Sequence, residues 1–284
     1  MLKTIKQLTI NLLFRFTGGN HYTYHKGVFF SAPSLRQLKI LKSYLRADRN
    51  FQNREDISTS LIKMVAKNNP VILDVGGNIG YSAIHYSRVL EQIDGGQCFT
   101  FEPYKPNFKH IIRNVNHFDN IFPITFGLSN YSGIVDFGIP EYLYKSSKSM
   151  NNTGFVSYKG LGVSSINTVK GVLIRGDELE IINTESLNIV YIKIDTEGSE
   201  PEVVEGLLGV IRRQKPFIQI EYNPNTMEYE SIRKIYYAVK EVGYNLFSDN
   251  PLTVNSQCEL YFIPDEHCQK VKSIRQLCLF DDFE

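Results

Sequence analysis

Apolar residues recur along this chain with two periods, and the alternation between them lays out an architecture. Short apolar runs at 71–75, 97–102, 121–126, 188–195 and 216–221 read as buried strands. Between them, Tyr81 to Leu90, Pro106 to Phe118 and Thr226 to Val242 carry apolar residues at helical spacing. Strands joined through helices run parallel by right-handed crossovers, with helices on both faces of the sheet. Two more strands near 244–247 and 258–262 end the pattern as a helix followed by a hairpin, which places one antiparallel strand in the sheet. The reading is therefore a Rossmann-like α/β fold with a seven-stranded, mostly parallel sheet.

Two helical stripes precede the first strand. Leu35, Leu38, Leu41 and Leu45 follow Ser31-Ala-Pro-Ser34, and Ile57, Leu61 and Val65 follow Glu55-Asp56 and stop at Asn68-Asn69-Pro70. Residues 1–69 are thus expected to form a helical extension capping the cleft, 70–264 the main domain, and 265–284 a tail with a short helix and a frayed acidic end. The rhythm breaks over residues 129–176, where glycines and Ser/Asn clusters separate β-like pieces at Ile134 to Phe137 and Val169 to Ile174. This segment is expected to be a β-rich insertion beside the cleft, where selection of a substrate often resides.

Chemistry enters at Val71-Ile-Leu-Asp-Val-Gly-Gly-Asn-Ile-Gly80, an apolar strand that runs into a glycine-rich turn and then a helix. Gly76 and Gly77 permit a tight turn with close approach of backbone to a ligand, and Gly80 lets the helix lie near the strand. Asp74 puts a carboxylate where a dinucleotide turn would carry its diphosphate, so the site favours an ammonium group over phosphates. Asn78 also stands where the second glycine of G-x-G-x-x-G belongs, which breaks the nicotinamide pattern. Glu102, 28 residues beyond Asp74 at the end of the next strand, is suited to accept hydrogen bonds from ribose hydroxyls. One acid for an amino end and one for a ribose point to S-adenosylmethionine.

A second cluster follows Asn188-Ile-Val-Tyr-Ile-Lys-Ile-Asp195. Lys193 and Asp195 lie two apart on a strand, so both face one side at the end where ligands collect. Glu197, Glu200 and Glu221 crowd the same rim. Such carboxylates serve as a general base, as ligands for a hard divalent metal, or as charges at a helix N-terminus, and the last reading suits Glu200 and Glu197.

Asp74-Val-Gly-Gly-Asn-Ile-Gly80, Phe101-Glu-Pro103 with Asn107, Asn152-Thr-Gly154 and Lys193-Ile-Asp-Thr-Glu-Gly-Ser-Glu200 together resemble the FkbM family of S-adenosylmethionine-dependent methyltransferases, over about residues 70–225. Thr196 and Ser199 depart mildly from the family pattern, and of its threonine-leucine-aspartate lead-in only Asp177 carries over. The resemblance implies a class I methyltransferase fold, O-methylation of hydroxyls on sugars, polyketides and related metabolites, and an Asn107 that faces the adenosine with Glu102. On this reading Asp74, Gly76, Asn78, Gly80, Glu102 and Asn107 hold the cofactor, and Asp195, Lys193 and Glu221 do the chemistry without a resident metal. Asn223-Pro224-Asn225 is similar to the asparagine-proline-proline-tyrosine turn of enzymes that methylate amino groups of DNA, but it lacks the tyrosine and follows the fifth strand. A nicotinamide-dependent oxidoreductase and a non-catalytic partner protein on the same scaffold are the alternatives.

Composition changes this picture little. A net charge of +1 gives no broad attraction for nucleic acid, and 42% apolar residues support a sizeable core. The four cysteines form no C-x-x-C pair, which suggests a reduced, cytoplasmic protein. Residues 1–16 contain Lys3, Lys6 and Arg15, no acid, and apolar residues at 5, 8, 12 and 16. That face suits either peripheral contact with an anionic membrane or packing on the domain or on a second copy in a homo-oligomer.

Overall fold

The computed structural model describes residues 21–25, 28–32, 48–93, 95–140, 165–184, 186–274, 276–280 and 283. The segment 1–16, the leucine stripe at 35–45 and residues 141–164 of the insertion lie outside them. The first described residues form an antiparallel hairpin, β1 (His21–His25) and β2 (Val28–Ala32), where the sequence reading expected a helical extension. Tyr22, Tyr24, Phe29 and Phe30, aromatic residues with high strand propensity, flank a two-residue Lys26-Gly27 connection. Helix α1 (Asp48–Val65) ends where Asn68 and Asn69 take left-handed φ of 53° and 61° and Pro70 starts β3 (Pro70–Val75).

The main domain then alternates as expected: α2 (Tyr81–Glu91), β4 (Gln97–Phe101), α3 (Lys105–Val115) and β5 (Ile121–Ile124). After the insertion come β9 (Asn188–Ile194), α4 (Glu200–Gly206), α5 (Leu208–Gln214), β10 (Phe217–Tyr222), α6 (Tyr229–Lys240), β11 (Tyr244–Ser248) and β12 (Cys258–Pro264). The order across the sheet is β5-β4-β3-β9-β10-β12-β11, with β12 antiparallel to both of its neighbours. The chain leaves β3 toward β4 and β5 and returns through β9 toward β10. A crevice therefore opens between the carboxyl ends of β3 and β9, the position where open α/β sheets bind ligands.

Within the insertion, β6 (Gly127–Ser129), β7 (Gly133–Pro140) and β8 (Ser165–Arg175) form a separate three-stranded sheet. It packs on Pro103, the residue after Glu102: a Cβ on Gly127 would lie 3.1 Å from the Pro103 ring, and one on Gly171 would lie 3.3 Å from its carbonyl. The tail holds the short helix expected of it, while residues 281, 282 and 284 of its acidic end lie outside the described residues. After α7 (Cys268–Val271), β13 (Cys278–Leu279) adds an eighth, two-residue edge strand beside β11, and Phe283 packs on Tyr229, Tyr236 and Phe280.

Two cores result, one on each face of the sheet. Ile57, Leu61 and Ile62 of α1 join α2, α3 and Phe30 on one face, whereas Val203, Ile211, Ile232 and Val239 of α4, α5 and α6 cover the other. Each fully buried aliphatic side chain contributes roughly 1.5–3 kcal/mol from leaving water. The site lies on the first face, where α1 packs against β9, β10 and α2.

Candidate functional site

Strand register sets the site. Thr100 on β4, Asp74 on β3, Lys193 on β9, Gln219 on β10 and Tyr261 on β12 are successive lateral partners, so five neighbouring strands carry a polar row across one face of the sheet. Asp74, 0% exposed, accepts hydrogen bonds from the Ser82 hydroxyl at 2.8 and 3.0 Å and from the Thr100 hydroxyl at 2.9 Å. Burial raises its pKa, and Lys193, Ser82 and Thr100 oppose that rise. The acid that the sequence placed at the mouth of the turn thus sits beneath it.

The turn itself is cross-tied. Gly76 and Gly80 take φ of 89° and 85°, and Asn78 takes the left-handed conformation at 50°, which asparagine tolerates better than most side chains. A Cβ on Gly76 would stand 1.8 Å from the Asp195 carbonyl oxygen, so this glycine is required by the close approach of the two strand ends. The N–H groups of Gly76 and Gly77 both donate to the Phe101 carbonyl, and that of Asn78 donates to Glu102 Oε2 at 2.8 Å. Glu102 Oε1 accepts from the Tyr104 N–H at 2.9 Å, and the Asn107 side chain bonds the same carboxylate. Burial nevertheless pushes Glu102 up to about 8, against those donors. The structure therefore brings Asp74, Gly76, Asn78, Gly80, Glu102 and Asn107 together around one crevice.

On the β9 side, Lys193 Nζ donates to Asp195 Oδ2 at 3.0 Å and lies 4.0 Å from Asp74 Oδ1. Burial, which pulls an ammonium down, is outweighed by Asp195 and Asp74, and Lys193 is held above its ordinary range. One cation thus bridges the acid under the glycine turn and the acid at the rim. The Asp195 side chain is 31% exposed and the Lys193 side chain 15%, so Asp195 faces the open side. Burial, then repulsion from Asp195, pushes Glu197 up to about 9 and Glu221 up to about 8. Glu221 Oε1 also accepts a hydrogen bond from Gln257. Glu197 adopts φ of 58°, unusual for a side chain of its size.

Glu200 has a local task. Its Oε1 accepts from the Thr196 N–H at 2.8 Å, the Thr196 hydroxyl at 3.1 Å and the Gly198 N–H at 3.2 Å, which staples the loop carrying Asp195. Asp177, the remnant of the family lead-in, accepts from the N–H groups of Gly209 and Val210 at 2.9 Å each and caps α5. Sequence reasoning missed Gln219. Its Oε1 accepts from the Tyr191 hydroxyl at 2.6 Å and the Tyr86 hydroxyl at 3.3 Å, and its Nε2 donates to Glu259 Oε2 at 2.9 Å. A buried glutamine in an apolar strand was the available signal, because buried amides require partners. Among the described residues, no group of three or more His, Cys, Asp or Glu is placed to hold a metal ion, and no helix is long and apolar enough to cross a membrane.

A family model described as the methyltransferase FkbM domain matches residues 74–246, a span that contains every predicted site residue. Comparison with curated proteins gives no match. Solved structures that match this chain include the methyltransferase FkbM from Methylobacillus flagellatus KT, at 15% identity and a TM-score of 0.43 over 72% of this chain and 47% of that one. Others are M. jannaschii TYW2 in complex with AdoMet (10% identity, TM-score 0.43, 86% of this chain and 84% of that one) and a SAM-dependent methyltransferase from Aquifex aeolicus (12% identity, TM-score 0.40, 80% and 96%). The chain spans about half the length of the Methylobacillus protein, 47%.

Proposed function

The chain belongs to the FkbM methyltransferase family, and from that premise we propose that it moves a methyl group from S-adenosylmethionine to a hydroxyl of a sugar or related small metabolite. The observation that carries this reading is the Lys193 ammonium held between Asp74 and Asp195, which ties the cofactor turn to an accessible carboxylate.

The turn fits an amino-acid cofactor better than a dinucleotide. A diphosphate is bound by free backbone N–H groups at such a turn, and here those of Gly76, Gly77 and Asn78 donate within the protein above a buried acid. Asp74, Gly76, Asn78 and Gly80 would shape the seat of the amino-acid end. Glu102 and Asn107 would face the ribose, since a carboxylate has about four acceptor positions and the two backbone N–H donors leave some for hydroxyls. When bound, S-adenosylmethionine supplies a sulfonium methyl that an oxygen nucleophile takes by in-line displacement, leaving S-adenosylhomocysteine.

The remaining work falls to the rim. A sugar hydroxyl is weakly acidic, so a base must accept its proton as the new bond forms. Asp195 is that base, and its hydrogen bond to Lys193 fixes its orientation. Glu221, within electrostatic reach of Asp195 and with a raised affinity for protons, is the second acceptor. Glu197, strained at positive φ beside them, belongs to the same proton-holding group, since strained residues of this kind gather at functional sites.

Incubation of the full chain with methyl-labelled S-adenosylmethionine and a panel of sugars, hydroxylated metabolites and amines tests the reading. Label is expected on hydroxyl acceptors. Label confined to amines would overturn O-methylation, and no transfer across acceptors despite cofactor binding would favour a non-catalytic partner protein.

A further inference from the structure

The N-terminal hairpin and the cofactor turn meet at one side chain, Asn114 on α3. Asn114 is 1% exposed, and its amide offers two acceptor positions and two hydrogens that need partners. Its Oδ1 accepts from the Ser31 N–H at 2.7 Å and the Ser31 hydroxyl at 3.0 Å. Its Nδ2 donates to the Ser31 carbonyl at 3.2 Å and the Ile79 carbonyl at 2.7 Å. All four positions are filled, three by Ser31 and one by Ile79. Holding both the N–H and the C=O of one residue is what a neighbouring strand does, so Asn114 pairs β2 in place of a strand.

The surroundings lock this clamp. A hydroxyl has one hydrogen, and with that of Ser31 given to Asn114, the 2.8 Å contact between Ser31 Oγ and His110 Nδ1 requires the ring N–H to donate. Burial, aided by Arg113, holds His110 down at about 4, so the ring is neutral at physiological pH. Next to Ser31, Phe30 packs on Tyr81, the first residue of α2, with ring centroids 5.9 Å apart. Ile79 itself lies between Asn78, whose N–H is given to Glu102, and Gly80 at positive φ. The Gly80 N–H donates back to the Gly77 carbonyl at 2.7 Å, so the bond from Asn114 to the Ile79 carbonyl ties that same peptide of the turn to α3.

We infer that Asn114 is a positioning residue for the cofactor turn, and that through it the N-terminal hairpin is coupled to cofactor binding. The coupling to binding rests on the S-adenosylmethionine reading above; the clamp on the turn does not. By linkage, a hairpin that holds the turn in its binding geometry is in turn held by the bound cofactor to the same degree.

Hydrogen exchange measured by mass spectrometry on full-length protein, with and without S-adenosylmethionine, separates the two. In ligand-free Asn114→Ala, exchange at residues 76–82 and 28–32 should quicken about tenfold while β10 and β12 keep their protection, because the Ile79 carbonyl and the N–H, hydroxyl and carbonyl of Ser31 lose their partner. In parallel, titration should show S-adenosylmethionine bound about tenfold more weakly by Asn114→Ala than by wild type, and the cofactor should slow exchange at 28–32 only while Asn114 is present. Ser31→Ala, which removes the hydroxyl and keeps the backbone bonds, serves where Asn114→Ala does not fold, with a smaller change in the same direction. Unchanged exchange at 76–82 in a folded variant overturns the clamp. Faster exchange there with unchanged affinity overturns the coupling. A wild type that binds no S-adenosylmethionine refutes the cofactor reading and the coupling, and leaves the ligand-free exchange to decide the clamp.

Discussion

The carboxyl ends of β3 and β4 and those of β9 and β10 both gather acids, and the two halves of the crevice treat them in opposite ways. On the β3–β4 side, Asp74 and Glu102 are buried but furnished with donors: Ser82, Thr100 and Lys193 for one, and Asn78, Tyr104 and Asn107 for the other. On the rim, Asp195, Glu197 and Glu221 repel one another, with Lys193 the cation bonded to Asp195. The first arrangement suits a rigid seat whose geometry must not change on binding. The second suits a place that accepts and releases protons, because burial and then the neighbouring Asp195 raise the proton affinity of Glu197 and Glu221. Lys193 belongs to both halves, which makes it the residue through which they can be separated.

The comparison breaks most completely at Asp195. Asp195→Asn should lower methyl transfer by about 10²- to 10⁴-fold, the usual scale for a lost general base, and leave cofactor affinity within about twofold. Radiolabel transfer and calorimetry read these separately, and unchanged turnover would remove Asp195 from the mechanism. Lys193→Met comes next, since it leaves two neighbouring acids without their cation; denaturant unfolding should show a loss of about 3–5 kcal/mol.

A smaller effect lies in pH. Glu221 moves from an ordinary 4.5 to about 8 in the folded protein, so between those values the folded state holds a proton that the unfolded chain has released. Its contribution to stability is full below about pH 4.5 and is lost as pH rises through about 8. Melting temperatures should therefore fall as pH rises across that window, and Glu221→Gln should flatten the fall. The smallest effect sharpens the contrast from outside the site: Lys170 and Asp136 also form an ion pair, at 3.2 Å, but their side chains are 74% and 54% exposed. Lys170→Met should change stability by no more than about 0.5 kcal/mol, well below Lys193→Met.

Much of the fold and of the crevice is legible in the order of the residues alone. Asp74, the glycines and Glu102 declare themselves because each sits at the end of a strand that its own neighbours define, and Lys193 and Asp195 share a face by the two-residue period of a strand. What stays hidden depends on register between distant segments. Gln219 becomes the centre of a polar row only when β10 is laid beside β9 in one particular alignment, and Asn114 reads as an ordinary helix residue until β2 is folded onto α3. Asp177 carries a family signal without its meaning, which comes from the N–H groups of α5 more than thirty residues away. The hairpin around Lys26-Gly27 has a usable local signal that the strong leucine stripe after it outweighs.

The central claim is that this crevice binds S-adenosylmethionine, and titration calorimetry of the full chain with S-adenosylmethionine, S-adenosylhomocysteine and NAD in parallel tests it most directly. Micromolar binding of both adenosyl compounds, weakened at least tenfold by Glu102→Ala and absent for NAD, is the predicted result. Binding of NAD in their place, or of none of the three, would contradict it.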